Sequence, residues 1–253
     1  NAMSEFISVE RHDRVCVVKI DRPAAKNALT QDMYGAMADA LFEADENKDI
    51  RAVLLTSDGE LFTAGNDLRD FQSERGEGEA PVGRFLRAIR DVNVPFIIAV
   101  NGPSIGVGLT MLLHADLVIA GERATFKAPF AQIGVVPEAG SSILLPQAVG
   151  MAWANDILLT GRALTAQEAL SIGLISRVYP DGDLAAEAMK LAAQVSQMPP
   201  NALLESKKLI RAGRDAIIAQ MEKEMVAFGN QLRSAEFKEA ATAFFEKRAP
   251  VFD

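Results

Sequence analysis

Glycine turns and one isolated acid are the features of this sequence that could do chemistry. Gly102, Gly106 and Gly108 directly follow the apolar segment 96–100. Glycine at a strand-to-helix turn lets backbone N–H groups approach a ligand oxygen, because no Cβ stands in the way. Glu138 lies thirty residues beyond Gly108 in otherwise uncharged sequence, and apolar surroundings raise the pKa of a carboxyl group toward the pH at which it exchanges protons. The combination predicts enolate chemistry on a carbonyl compound.

A second glycine turn lies at residues 62–68, where a strand-like segment reaches Gly65 and continues into polar residues. Either turn alone is typical of an ordinary loop. The two turns together, followed by the isolated acid, predict two backbone N–H donors aimed at one oxygen. Asp67 lies beside these donors, where its negative charge would oppose an oxyanion, so we assign it to loop organisation.

The residues alone leave two interpretations of Glu138 open. It is either a proton-transfer base or an acid that interacts favourably with the dipole of a helix predicted over residues 140–145. The other candidates for the base are Asp67, Asp70, Asp116 and Glu122. Asp116 opens a predicted strand and Glu122 lies in a predicted turn, so we expect structural or solvated roles for both.

The composition argues against several other classes of protein. The 253-residue chain is 49% hydrophobic and 24% charged, which is ordinary for a globular protein with one substantial core. Its net charge of −8 argues against a nucleic-acid partner, and no apolar run predicts a membrane span or a signal peptide. Cys16, the single cysteine, cannot form an internal disulfide and fits a reducing compartment. The two histidines, His12 and His114, form neither a hydrolase motif nor a zinc-binding cluster, so we expect both to be structural.

The elements that must position the two turns alternate between strand and helix. Periodicity and turn residues predict a hairpin at 6–9 and 14–20 and a helix from Thr30 to 47. Strands at 52–56 and 61–65, a mobile polar loop at 72–81, a helix at 82–91 and a strand at 96–100 are predicted next. A helix-like run at 109–114 and strands at 117–120 and 124–127 follow. Strand–strand–helix units therefore recur, which indicates a winding of repeated units without visible sequence identity between them.

Helix predominates in the last hundred residues. A capping box at 165–168 opens one helix, and amphipathic helices are predicted over 184–197, 202–212, 216–233 and 237–248. Pro199 and Pro200 mark a break, so we predict a core at 4–198 and a helical oligomerisation region at 199–253. Helices whose apolar faces lack an enclosing domain often pack on another subunit, which favours a homo-oligomer.

The sequence resembles the crotonase, or enoyl-CoA hydratase/isomerase, superfamily along almost its whole length. The resemblance rests on residues 21–29 (DRPAAKNAL), 62–68 (FTAGNDL), 101–108 (NGPSIGVG), 116–126 and 243–248 (AFFEKR). It implies an α/β crotonase fold, a spiral of strand–strand–helix units whose helical C-terminal region packs into a homotrimer or hexamer.

The resemblance also implies a ligand and the residues that bind it. The ligand is an acyl-CoA thioester, and the oxyanion-hole N–H groups belong to Asn66 and Val107. The residues implied to line the coenzyme A and substrate site are Ala24, Lys26, Ala64, Gly65, Asp67, Leu68 and Gly106. Lys26 is the natural partner of a phosphate. No metal or redox cofactor is implied, because the coenzyme A arrives with the substrate.

Departures from the hydratase pattern indicate the reaction. The two glutamates with which crotonase hydratases activate water fall here on Thr110 and Phe130, which cannot act as carboxylate bases and are expected to shape the acyl pocket. The segment 137–142 (PEAGSS) instead resembles the peroxisomal-type Δ3,Δ2-enoyl-CoA isomerases, in which Glu138 is the base. The resemblance thus implies transfer of a 3-enoyl-CoA double bond to the 2-trans position, in the β-oxidation of unsaturated fatty acids.

Other functions stay open at this stage. Another crotonase reaction, such as enoyl-CoA hydration or thioester hydrolysis, is the nearest alternative, because one fold hosts many chemistries. A non-catalytic acyl-CoA-binding protein is the alternative outside enzymes, although a binder needs no base at Glu138. The sequence 251–253 (VFD) is not a peroxisomal address, so we expect a bacterial cytoplasmic protein.

Overall fold

Two β-sheets form the framework in this computed structural model, which describes residues 4–71 and 77–253. The larger sheet contains, in spatial order, β1 (Ile7–His12), β2 (Val15–Ile20), β3 (Ala52–Ser57), β4 (Phe96–Val100), β6 (Leu117–Gly121) and β9 (Arg177–Tyr179). Strands β1 and β2 are antiparallel, and every other neighbouring pair in this sheet is parallel. The smaller sheet contains β5 (Ser104–Ile105), β7 (Thr125–Lys127) and β8 (Leu164–Thr165).

Eleven α-helices connect or cover these strands within the described residues. They are α1 (Gln31–Glu46), α2 (Leu68–Phe71), α3 (Pro81–Asp91), α4 (Val107–Thr110), α5 (Ser141–Val149), α6 (Met151–Thr160), α7 (Ala166–Ser171), α8 (Leu184–Ser196), α9 (Pro200–Ile210), α10 (Arg214–Leu232) and α11 (Ala235–Glu246). Short 3-10 helices lie at Pro23–Ala25, Met111–His114 and Ala131–Ile133. Among the helices described, none has the length and hydropathy to cross a bilayer.

The central strands are buried on both faces, which explains their nearly continuous apolar sequence. One face of the larger sheet packs against α1 and α3, where Met33, Met37 and Phe85 are almost fully buried. The other face packs against α8, through Leu184 and Leu191. Parallel strands covered on both sides read as apolar runs rather than alternating patterns. This arrangement confirms the predicted α/β class with a helical C-terminal region.

Two helix starts agree with the sequence prediction in atomic detail. The hydroxyl of Thr30 accepts a hydrogen bond from the Met33 N–H at 3.3 Å, which caps α1. The hydroxyl of Thr165 accepts one from the Glu168 N–H at 3.1 Å, which caps α7. Such caps satisfy one of the N–H groups that a helix leaves unpaired at its start.

Three local predictions differ from the structure or lie partly outside it. The strand predicted at 61–65 forms only a single β-bridge, between Thr63 and Ser104, because the chain bends there toward the glycine turn at residues 101–108. The helix-like run at 109–114 is divided between α4 and a 3-10 helix. Half of the polar loop predicted to be mobile at 72–81, namely residues 72–76, lies outside the described residues.

The buried Asn27 connects residues 22–29 to the segment that leads into the glycine turn at residues 62–68. Its Nδ2 donates to the carbonyls of Asp58 at 2.7 Å and Leu61 at 2.9 Å, and its Oδ1 accepts from the Arg22 N–H at 2.7 Å. Asn27 also has a positive φ of 56°, a conformation that asparagine tolerates better than most residues. This network therefore fixes residues 22–29 against residues 58–67.

We expect Asn27→Ala to lower the free energy of unfolding by about 3 kcal/mol, because three partly buried backbone groups lose their hydrogen-bond partner. Urea denaturation followed by circular dichroism measures the change. Asn93→Ala is the matched control, since Asn93 is exposed and its side chain reaches only Asp45 at 3.2 Å. Its effect should stay within about 0.5 kcal/mol, and an equal effect of the two variants would contradict this account of Asn27.

Candidate active site

The two glycine turns lie against each other. Gly65 has a φ of 91°, and a Cβ at this position would come within 3.1 Å of the Ile105 carbonyl oxygen. The Ile105 N–H donates to the Thr63 carbonyl at 3.0 Å, which holds the turns in register. Only glycine combines this positive φ with so close an approach of two backbones.

Each turn presents a backbone N–H that forms no hydrogen bond to another described residue. The two neighbours of Asn66 form backbone hydrogen bonds with Leu29: the Leu29 N–H donates to the Gly65 carbonyl, and the Asp67 N–H donates to the Leu29 carbonyl. The Asn66 N–H takes no part in these hydrogen bonds. Val107 is the first residue of α4, where N–H groups have no intrahelical acceptor. These are the two donors that the sequence predicted for an oxyanion.

Glu138 is linked to the second donor through one turn of helix. The Thr110 hydroxyl, at the end of α4, donates a hydrogen bond to the Glu138 carboxylate. Thr110 follows Val107 by three residues and so lies on the same side of the helix. The structure thus brings Glu138 to the face of α4 that starts with the predicted oxyanion donor.

The carboxyl group of Glu138 has a pKa raised from 4.5 to about 7. Desolvation by burial is the largest cause, and the negative charge of Glu224 adds to it, while the hydrogen bond from Thr110 acts in the opposite direction. A carboxyl group with such a pKa exchanges protons efficiently near neutral pH. Of the interpretations that the sequence left open, this environment favours the proton-transfer base.

The backbone after Glu138 adopts an unusual conformation. Ala139 has a φ of 58° and Gly140 one of 76°, and the left-handed region costs a residue with a Cβ about 1 kcal/mol. The Ala139 carbonyl accepts a hydrogen bond from His114 Nε2 at 2.5 Å. Burial lowers the pKa of His114 to about 4, so the imidazole is neutral and its Nε2 carries the proton. His114 therefore supports the turn that carries Glu138.

Tyr34 is a residue of the site that the sequence analysis missed. Its hydroxyl donates to Oδ1 of Asn66, and its side chain is fully buried in α1. Burial raises the pKa of Tyr34 well above 10, and the charge of Glu138 raises it further, which places the phenol within electrostatic range of that acid. No sequence signal distinguished Tyr34, because it occupies one of several buried positions of an amphipathic helix.

The residues that the family resemblance assigns to the coenzyme A site lie beside the glycine turn at residues 62–68. The Ala64 N–H donates to the Lys26 carbonyl at 3.1 Å, so these two residues are adjacent. Ala24, Lys26 and Leu68 are exposed, and across residues 4–71 and 77–253 the Lys26 ammonium has no ion-pair partner. Gly106 lies at the start of α4, where its N–H donates to the Lys127 carbonyl at 2.8 Å.

Asp67 has a clear structural role beside these residues. Its carboxylate pairs with Arg22 at 2.6 Å and accepts the N–H groups of Arg69 and Asp70 at 3.0 and 3.1 Å. Partial burial acts to raise the pKa of Asp67, but the hydrogen bonds and the Arg22 charge outweigh it, so the pKa lies below its ordinary value. This supports the assignment of Asp67 to loop organisation.

The residues expected around the acyl pocket differ in burial. Thr110 is fully buried and Phe130 is 5% exposed, within the main apolar cluster. Val135 is also buried, whereas Ile133 is 41% exposed.

A separate cavity lies away from the two glycine turns. It has a volume of about 780 Å³, and α3, α8, α9 and α10 contribute to its walls. The residues predicted to bind substrate or transfer protons do not line it, although His114 does. Its cations are paired with acids, as in the contacts of Lys207 and Arg211 with Asp116 at 2.7 and 2.9 Å. We therefore locate the candidate active site at the two turns and not in this cavity.

Two backbone N–H groups on adjoining turns and one carboxylate held by Thr110, on an α/β framework, are the features expected of an enzyme that stabilises enolates. The family described as Enoyl-CoA hydratase/isomerase matches residues 10–253, and the chain belongs to this family. The fold agrees, because an enoyl-CoA hydratase/isomerase structure from Pseudoalteromonas atlantica T6c superposes with a TM-score of 0.97 at 52% identity, covering 98% of this chain and 100% of that one. The predicted crotonase fold is thereby confirmed.

Relatives in the same family have names that point to water chemistry. The Mycobacterium bovis protein named "Probable enoyl-CoA hydratase echA8" is 34% identical over 252 residues, 98% of each chain. The carnitinyl-CoA dehydratase of Salmonella typhi is 33% identical over 263 residues, 99% of each chain. These relatives support a crotonase-type acyl-CoA enzyme without singling out the isomerase that the sequence resemblance implied.

We expect Gly65→Ala to weaken acyl-CoA binding about tenfold and to lower the free energy of unfolding by about 2 kcal/mol. The physical reasons are strain at positive φ and contact with the Ile105 carbonyl, which would displace the Asn66 N–H. Isothermal titration calorimetry and urea denaturation measure the two effects.

Gly213→Ala is the matched control, because Gly213 has a φ of 90° and no atom within 4 Å of its Cβ position. It should lose only the roughly 1 kcal/mol of backbone strain and keep its affinity. Unchanged affinity in Gly65→Ala would refute the close approach as the reason for glycine.

Proposed function

We propose that this protein is an acyl-CoA isomerase that uses Glu138 as its single proton carrier and moves the double bond of a 3-enoyl-CoA to the 2-trans position. The observation that carries the proposal is one desolvated carboxylate held by Thr110, at the end of the single-turn helix α4 that begins with Val107. The reaction belongs to the degradation of unsaturated fatty acyl chains.

The reaction needs one base and one oxyanion site. Ionised Glu138 removes a proton from C2 of the thioester, and the electrons move into a dienolate whose negative charge lies on the thioester oxygen. The N–H groups of Asn66 and Val107 stabilise that oxygen, and loss of one such donor costs on the order of 3 kcal/mol in related sites. Protonated Glu138 then returns its proton to C4, which leaves the double bond between C2 and C3.

The lack of a free second carboxylate supports isomerisation over hydration. Thr110 and Phe130 occupy the positions where the resemblance places the two glutamates of hydratases. The neighbouring acid Glu224 has both carboxylate oxygens engaged by Gly140 and Ser142, so it is not free to activate water. A single carboxylate is sufficient to carry a proton from C2 to C4.

Addition or removal of water is the second candidate, and the names of the relatives favour it. A hydratase or dehydratase would use the same two N–H donors and the same enolate, with Glu138 acting on a water or a 3-hydroxyl group. Thioester hydrolysis and non-catalytic acyl-CoA binding are further outcomes that the same assays distinguish. For each of these candidate functions, we propose that the Lys26 ammonium, which forms no ion pair with any described residue, binds a phosphate of coenzyme A.

The decisive assay compares wild type with Glu138→Gln on a 3-enoyl-CoA and on a 2-enoyl-CoA. We expect wild type to form conjugated thioester from the first substrate and to hydrate the second slowly. Glu138→Gln should lower kcat for isomerisation by about 10²–10⁴-fold, because general acid–base catalysis contributes that much. Loss or gain of absorbance by the conjugated thioester follows both reactions. Fast hydration of the 2-enoyl-CoA would transfer the assignment to the water reaction, and no turnover of either would favour a binder.

The pH dependence of activity should report the ionisation of Glu138. The base must be ionised, so kcat/KM should rise with pH and level off above a midpoint near 7, the pKa of this carboxyl group in the free enzyme. A profile measured from pH 5 to 9 tests this expectation. A midpoint near the ordinary glutamate value would show that the carboxylate is solvated.

The same carboxyl group should cost stability at high pH. Because its pKa is higher in the folded than in the unfolded chain, stability falls as pH rises from about 4.5 to about 7. Glu138→Gln should therefore raise the Tm at pH 8 and leave it nearly unchanged at pH 5. Calorimetry at both pH values provides the test, and an equal change at the two would contradict burial of the charge.

We also propose that the protein forms a homotrimer or hexamer through its C-terminal helices. Large apolar side chains are exposed there, namely Leu209, Ile210, Met225, Val226, Phe244 and Phe245. Contiguous apolar surface on a folded chain commonly marks a subunit interface.

Light scattering coupled to gel filtration should give three or six times the mass of the chain. Phe244→Glu should shift the protein to smaller species, because a charge cannot be buried unpaired in an interface. Val9→Glu, at an exposed apolar position on β1, should leave the mass unchanged. A monomeric wild type would exclude the oligomer.

A further inference from the structure

Glu224 is an unusual residue in the C-terminal part of the fold. Helix α10 contains 19 residues, and the one that is buried is this glutamate, which is 6% exposed. Acidic side chains are rarely buried unless hydrogen bonds or charges compensate them. The contacts of Glu224 therefore deserve an explanation beyond the packing of α10.

Both carboxylate oxygens of Glu224 bind the start of α5. Oε1 accepts the Gly140 N–H at 2.6 Å, and Oε2 accepts the Ser142 N–H at 3.0 Å and the Ser142 hydroxyl at 2.5 Å. Gln220, one turn earlier on α10, donates to the same Ser142 oxygen at 3.0 Å. Hydrogen bonds to an ionised acceptor are stronger than neutral ones, so α10 holds this backbone firmly.

The backbone held by Glu224 directly follows the proposed base. Glu138 precedes the left-handed Ala139 and Gly140, and such a turn persists only when its surroundings hold it. His114 binds the Ala139 carbonyl from one side, and Glu224 binds the next N–H groups from another. Removing either would let the strained turn relax and move Glu138.

We propose that Glu224 is a positioning residue that aligns Glu138 for proton transfer by fixing the backbone of residues 140–142 from helix α10. The inference rests on the proposed role of Glu138 as the base. It gives the C-terminal helical region a part in catalysis, in addition to its proposed part in oligomerisation.

The charge of Glu224 has a second, separable effect on Glu138. Three titratable groups of the described residues face or approach Glu138: Tyr34 from α1, His114 from the 3-10 helix, and Glu224 from α10. The phenol and the imidazole are both neutral between pH 5 and 9, because burial raises the pKa of Tyr34 and lowers that of His114 to about 4. Helix α5 contributes no charged side chain. Glu224 is thus the charged neighbour that opposes ionisation of Glu138.

Two variants of Glu224 separate the effect of its side-chain length from the effect of its negative charge. Glu224→Asp keeps the charge but is one methylene shorter, so it cannot bind Gly140 and Ser142 together. It should lower kcat about tenfold with little change in KM, since small misplacement of a catalytic group is costly. Glu224→Gln keeps the length and removes the charge, so the midpoint of the kcat/KM profile should move to lower pH. Glu222→Gln, an exposed neighbour on α10, is the matched control and should change neither.

A direct titration distinguishes failure of this inference from failure of the proposed function. Carbon-13 NMR of glutamate-labelled protein without substrate follows the Glu138 carboxyl signal, which is assigned by its loss in Glu138→Gln. The midpoint should fall in Glu224→Gln and stay unchanged in Glu222→Gln, whatever reaction the enzyme catalyses. If Glu224→Gln does not fold, the kcat of Glu224→Asp tests the proposal: a decrease of about tenfold supports it, and an unchanged kcat contradicts it. Variants that lose only thermal stability, with kcat and the titration of Glu138 unchanged, would overturn the proposal.

Discussion

The hydrogen bond from Thr110 to the carboxylate of Glu138 is the interaction on which the site depends. Because Thr110 and Val107 belong to one turn of helix α4, this bond ties the proposed base to one of the two proposed oxyanion donors at a nearly fixed distance. The close approach of Gly65 to the Ile105 carbonyl then brings the other donor alongside. The sheets and helices of the fold thus control two backbone turns and the angle at which one carboxylate meets them.

Several features of this site destabilise the folded protein. A carboxyl group removed from water, a left-handed alanine directly after it and a second buried acid nearby all disfavour the folded state. The neutral His114 and the well-bonded Glu224 compensate by holding the turn from two directions. The surrounding structure is therefore more constrained near Glu138 than packing alone would require, as is common where a site needs a perturbed pKa.

The chemistry of the site depends on what stands beside the base as much as on the base itself. Two N–H donors stabilise the enolate of any acyl thioester, and this explains how one family includes hydratases, dehydratases and isomerases. A second free carboxylate would favour water, whereas the proposed isomerisation has Glu138 acting alone beside Thr110 and Phe130. Glu224, whose charge reaches Glu138, is engaged by the start of α5.

Local patterns in the sequence were sufficient for the central strands, the capped helices α1 and α7, the glycine turns and the isolated Glu138. Each of these depends on backbone preferences or on burial of a face, and both are written in neighbouring residues. The role of Tyr34 beside Asn66 and that of Glu224 beside Gly140 were decided only by the tertiary structure. Gly140 and Glu224 are 84 residues apart, and their contact exists because α10 packs on α5. No periodicity within either helix encodes that meeting, since a buried acid on an amphipathic helix looks like a solvated one until its partner is in place.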